Sequence, residues 1–164
     1  VEPGSTVAVI GCGGVGLAAV NGAAIAGAGM IIAIDRLDNK LDMARKVGAT
    51  HTINASSADS VNEVIELTKG GVDYSFEAIG LPATAAQAFK MLRMGGMATV
   101  TGMLPVGSKL ELDGADLLDQ VGAPLVLLAL LLLRLAEHLR VLDPERRMLP
   151  HCLVSGASGP KPLT

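Results

Sequence analysis

Aromatic residues are nearly absent: the 164-residue chain has no tryptophan, one tyrosine and two phenylalanines. That scarcity excludes an exposed platform of rings on which bases could stack. Charge of one sign is missing as well, since thirteen basic and sixteen acidic residues give a net charge of −3 without any basic block. A nucleic-acid partner therefore has no electrostatic support. Cysteine is scarce too. Cys12 and Cys152 cannot form a disulfide framework, and the opening V-E-P-G-S-T is not the charged and then apolar start of a signal segment. The expectation is a reducing, cytoplasmic setting. His138, His151 and Cys152 do not have metal-ligand spacing, so no metal ligand and no catalytic residue is assigned.

Long apolar runs are limited to residues 121–133, which as a helix would span about 20 Å at ~1.5 Å per residue. This is short of the ~30 Å hydrocarbon core, and Arg134, Glu137, His138 and Arg140 prevent its extension, so no membrane association is expected. Leu125, Leu128, Leu132, Leu135, Leu139 and Leu142 repeat at spacings of 3, 4, 3, 4 and 3. Such a stripe suits a helix packed in a core or on a partner, but lasts too few heptads for a coiled coil. An unrelated tail is the other reading of this segment. Residues 153–164, with their Ser, Gly and Pro, read as a flexible end.

Apolar side chains and glycine are abundant. Hydrophobic residues make up 50% of the chain, enough for the core of one domain, and there are twenty glycines. Six of the first sixteen residues deserve the closest reading: Gly11, Cys12, Gly13, Gly14, Val15 and Gly16 follow the apolar run 7–10 directly. In a Gly-x-Gly-x-x-Gly turn, Gly11 permits the sharp strand-to-helix bend and Gly13 lets the backbone approach a pyrophosphate. Gly16 allows the helix to pack closely on the sheet. Asp35 lies nineteen residues beyond Gly16, at the end of a second apolar run, 30–34. A carboxylate there can accept hydrogen bonds from ribose hydroxyls and repels a 2′-phosphate, which favours NAD over NADP. Arg36 could counter that preference or stack on adenine.

The same loop argues against other cofactor classes. Leu17 stands where a P-loop requires Lys, and Ala78 stands four residues after Tyr74, so no Tyr-x-x-x-Lys relay exists. A methyl-donor-binding enzyme stays open, since such folds also carry a glycine-rich first loop. Cys12 occupies a variable position of the fingerprint and has no evident base, so a catalytic thiol is not expected.

Further along, strand and helix alternate. Helices are expected at 14–28, 38–47, 60–69 and 82–94, with Ser60-x-x-Glu63 as a capping box. Strands are expected at 51–54, 72–77 and 97–101. Alternation of this kind predicts an α/β Rossmann-type, doubly wound parallel sheet with ligands at the strands' carboxyl ends, followed by an atypical Leu-rich C-terminal helix. The division expected is 1–118 for the dinucleotide-binding domain and 119–164 for the Leu-rich helix and tail. The Pro-Gly turn just before the first strand suggests a domain that something precedes.

Residues 1–118 resemble the zinc-containing medium-chain alcohol dehydrogenases, including the branch acting on hydroxymethyl-thiol adducts of formaldehyde. The matching blocks are 3–17, 31–35, 40–50, 70–80 and 95–103, in family order and spacing. The resemblance implies an oxidoreductase that moves hydride between an alcohol, or such an adduct, and NAD. It places Gly11 to Gly16 on the pyrophosphate, Asp35 and Lys40 on the adenosine ribose, and Ala78 and Ile79 on the adenosine-side pocket. Thr101, Gly102 and Met103 would lie beside the nicotinamide. Zinc belongs to the family's catalytic domain, whose ligands this chain does not carry, so this chain alone is expected to be inactive. The family forms homo-oligomers, but loss of resemblance after about Leu118 removes the basis for expecting one here. The alternative function is a non-catalytic nucleotide-binding or interaction module that docks a partner through the leucine stripe.

Overall fold

Alternate side chains of β1 (Thr6–Ile10) go to opposite faces of the sheet, and that alternation sets the architecture. In the computed structural model, which describes residues 1–114, Val7 and Val9 pack with Val20 and Ala23 of α1 (Gly14–Ile25) and Leu41 and Ala44 of α2 (Asp38–Lys46). Ala8 and Ile10 face the other way, against Val64 of α3 (Ser60–Thr68) and Ala88 of α4 (Pro82–Lys90). β2 (Met30–Asp35) is divided in the same manner, with Ile31 and Ala33 on one face and Ile32 and Ile34 on the other. Burial on both faces is why these strands read as continuous apolar runs. Each fully buried Val or Ile contributes about 1.5–3 kcal/mol.

β3 (His51–Asn54), β4 (Val72–Glu77) and β5 (Leu92–Val100) complete a five-stranded sheet in the order β3-β2-β1-β4-β5. All four pairings are parallel. The chain moves outward from β1 through β2 to β3 and then returns to the opposite side of β1 for β4. Connections therefore diverge above β1 and β4, leaving a crevice at their carboxyl ends. Register brings the strand ends to one level: Ile10 pairs with Ile34 and with Glu77, Asp35 with Asn54, and Glu77 with Val100.

The expected α/β fold and strand–helix alternation are present, with three local differences. Helix α1 stops at Ile25 rather than 28, because the N–H groups of Gly27 and Ala28 turn back to Ala24 and Ala23 carbonyls. The cap of α3 is Asp59, whose carboxylate accepts from the N–H groups of Val61 and Asn62, so Ser60 is the first helical residue. Helix α4 ends at Lys90, and Gly95-Gly96 lies inside β5 instead of breaking a longer helix. Met91 and Leu92 are buried, and Met91 accepts from Val72 N–H, which draws the chain into the sheet early. The extra residues form an irregularity between the Val72–Leu92 and Tyr74–Met97 pairs. The leucine stripe and the tail lie outside the described residues.

Candidate functional site

The turn from β1 into α1 is built by backbone alone. Gly11 has φ of +94°, a conformation unfavourable for side chains, and a Cβ there would come within 2.6 Å of Ile79 Cγ1. Gly16 fits even more tightly, since its Cβ would lie 1.7 Å from the Gly11 carbonyl oxygen. The close packing expected of Gly16 is thus mainly against the loop itself, with Val9 of the sheet 3.5 Å away. Above Gly13 and Gly14, by contrast, nothing lies within 4 Å of a notional Cβ.

Helix α1 begins without a side-chain cap and without an acidic residue in its first turn. Its first closing bond runs from Leu17 N–H to the Gly13 carbonyl, 2.8 Å, so the preceding amides have no intrahelical acceptor. These donors and the positive end of the helix dipole favour an anion in the open space beside Gly13.

Asp35 borders the same turn. Its Oδ2 accepts from Cys12 N–H at 2.8 Å and its Oδ1 from Leu37 N–H at 3.1 Å. The half-buried carboxylate is therefore aimed by the loop and in turn anchors it. Each oxygen keeps a further lone pair for another donor. Lys40, in the first turn of α2, shares a cleft with Asp35, Arg36 and Leu37. Asn54 ties the end of β3 to this wall through Asp38, 2.7 Å, and Ser56 donates to the Arg36 carbonyl, 3.2 Å.

The cleft measures about 870 Å³ and opens along the carboxyl ends of β1, β2, β3 and β4. Gly11, Gly13, Asp35, Arg36, Lys40, Ala78 and Ile79 of the expected site residues line it. Cys12 and Gly16 are buried behind the loop, and Gly14 and Val15 are exposed at the start of α1. Thr101, Gly102 and Met103 do not line this cleft. They lie after β5, where Thr101 and Gly102 donate to the Glu77 carbonyl at 2.8 and 3.1 Å. Leu81 at the cap of α4, Thr84 and Gln87 within it, and Ala55 and Ser56 after β3 also contribute to the cleft. Sequence reading did not identify these, because helix-start and loop side chains acquire a facing direction only from the register of the sheet.

Cys12 is a structural thiol. Burial first, and the nearby Asp35 carboxylate second, push it up to about 11. It is therefore protonated and a poor nucleophile at neutral pH. Among the described residues no group of three His, Cys, Asp or Glu side chains could hold a metal ion. No helix among them is long and apolar enough to cross a membrane.

Comparison with known proteins agrees with this fold. Residues 14–123 match the family model described as zinc-binding dehydrogenase. The chain is 47% identical over 113 residues to the probable S-(hydroxymethyl)glutathione dehydrogenase 1 of Schizosaccharomyces pombe, covering 68% of this chain and 30% of that protein. An alcohol dehydrogenase zinc-binding domain protein from Burkholderia ambifaria superposes with a TM-score of 0.70 at 44% identity, over 71% of this chain and 32% of that one. A zinc-binding dehydrogenase from Sinorhizobium meliloti bound to NADP gives a TM-score of 0.68 at 37% identity, over 71% and 35% of the two chains. The chain thus spans about a third of the length of the relatives it matches.

Proposed function

Given that the chain belongs to the zinc-binding dehydrogenase family, we propose that residues 1–118 are its dinucleotide-binding domain and take up NAD in the cleft above β1 and β4. The observation that carries this is the open, uncapped helix start beside Gly13, set next to the doubly anchored Asp35 carboxylate. The amides of residues 13–16 hold the pyrophosphate. Asp35 and Lys40 take the adenosine ribose, with Arg36 at the outer edge, and Ala78 and Ile79 form the opposite wall. Thr101, Gly102 and Met103 flank the nicotinamide end. When bound, the nicotinamide supplies the hydride acceptor for alcohol oxidation.

The substrate class is a small alcohol or a hydroxymethyl-thiol adduct, and the place of action is the cytoplasm, in keeping with the free, buried Cys12. Zinc belongs to the family reaction, and no step is assigned to it among the described residues. Family membership gives no support to the methyl-donor or non-catalytic module readings.

Preference for NAD over NADP follows from Asp35. A 2′-phosphate placed against its carboxylate would bring like charges together, and Arg36 is exposed and free to turn away. Fluorescence titration of the 164-residue chain with NADH and NADPH tests the proposal. Tighter NADH binding is expected, and equal or tighter NADPH binding would overturn the role given to Asp35.

A further inference from the structure

Glu77 is fully buried at the end of β4, yet among the described residues only one of its carboxylate oxygens accepts a hydrogen bond. Oε1 accepts from the N–H groups of Ile79, 3.0 Å, and Gly80, 2.8 Å, and from the Thr84 hydroxyl, 2.7 Å. The residue's main-chain carbonyl meanwhile accepts from Thr101 N–H, Gly102 N–H and the Thr101 hydroxyl, at 2.8, 3.1 and 2.7 Å. Oε2 has no hydrogen-bond partner among the described residues and lies 2.6 Å from where a Cβ on Gly102 would sit. A buried acceptor without a donor is unfavourable and calls for a reason.

Geometry supplies one. The side chain governs the arm after β4, and the main chain governs the arm after β5. The arms meet without clearance, because a Cβ on Gly80 would come within 2.5 Å of the Met103 carbonyl oxygen and one on Gly102 within 2.1 Å of Gly80 N. We propose that Glu77 is a positioning residue that clamps residues 78–80 and 101–103 at one fixed separation, so that the far wall of the dinucleotide site is preformed. A leucine could fill the volume but could not receive three donors. An aspartate would carry the same charge but fall short by one methylene. Among the described residues Oε2 meets no donor, because with Oε1 on the Ile79 and Gly80 amides it faces the position a Gly102 side chain would take, where glycine has nothing to donate.

The inference rests on the dinucleotide reading of the cleft. Its test uses the full 164-residue chain with NADH, and with AMP as a ligand that reaches Asp35 and the arm at 78–79 but not residues 101–103. Glu77→Ala and Glu77→Asp are expected to weaken NADH about tenfold, the usual effect of losing hydrogen bonds to a charged acceptor. AMP, which meets Ala78 and Ile79 but not residues 101–103, should lose less, about threefold. Glu77→Gln keeps an acceptor oxygen at the same reach and should bind NADH within about threefold of the parent. A purely structural residue would change thermal stability without separating NADH from AMP. If Glu77→Ala folds and binds NADH like the parent, or Glu77→Gln is as weak as Glu77→Ala, the clamp is overturned. Should Glu77→Ala not fold, equal NADH affinity of Glu77→Asp and Glu77→Gln overturns it. Failure of the parent chain to bind NADH shows itself before any variant is made and removes the dinucleotide reading along with this one.

Discussion

Adding one methyl group at Gly16 and one at Gly22 should have opposite effects, although both glycines lie on α1. At Gly16 the new carbon would sit 1.7 Å from the Gly11 carbonyl oxygen and 2.8 Å from its carbonyl carbon. Ordinary contact needs about 3.4 Å, so relief requires α1 and the loop to separate by roughly 1.7 Å, backbone against backbone. Overpacking of this kind costs about 1–3 kcal/mol. A displacement of that size in a site built from backbone amides should also weaken dinucleotide binding on the order of a hundredfold. At Gly22 nothing lies within 4 Å of the new carbon, and the residue is exposed in mid-helix. There alanine should stabilise by about 0.5–1 kcal/mol through helix propensity. Urea unfolding and NADH titration of Gly16→Ala and Gly22→Ala measure both effects. A Gly16→Ala chain as stable as the parent, with unchanged NADH affinity, would refute the argument that the turn is closed by direct backbone contact.

Other consequences are equally specific. Asp35→Ala removes the acceptor of Cys12 N–H and Leu37 N–H and the charge facing the ribose. NADH affinity should fall about tenfold and the discrimination against NADPH should shrink, both read by fluorescence titration. Asp73 raises a pH question: burial pushes its carboxyl up, but hydrogen bonds from Thr6 and the Arg93 guanidinium outweigh this and hold it below the usual range. Its contribution is present above the unfolded carboxylate pKa near ~3.9 and is lost as pH falls through the lower folded value. Asp73→Asn should therefore destabilise by about 1 kcal/mol at pH 7, and the difference should vanish on acidification in thermal melts. The Cys12 thiol, raised from 9.0 to about 11, gives the opposite pattern. Its stabilising effect is full below pH 9 and lost as pH rises toward 11, and in a Cys152→Ser background Cys12 should react with a disulfide reagent at pH 8 only at the rate of unfolding.

Much of this was legible in the residues. β3 (His51–Asn54) and β4 (Val72–Glu77) occupy the expected positions because apolar runs bounded by Gly and polar residues leave little choice of ends. Gly11 and Asp35 were identifiable from spacing, since the loop requires backbone in one place and a carboxylate in another. The α4–β5 junction was less visible. Gly95-Gly96 has the local chemistry of a helix stop, while the tertiary pull of Met91 and Leu92 into the core decides where the helix ends. Asp59 took the cap from Ser60 for a similar reason, as Ser60 is buried and only Asp59 reaches two free amides. Glu77 left no periodic signal at all. Its significance lies in bonds to residues 79, 80 and 84, which exist only once β4 has turned into α4.

Amide chemical shifts of the labelled chain during NADH titration test the dinucleotide site most directly. The largest changes are expected at the N–H groups of Gly13, Gly14 and Val15, with a second group at residues 35–40 on the same binding curve. Saturable NADH binding that leaves those amides unmoved, or no NADH binding by the folded chain, would contradict the assignment of the cleft.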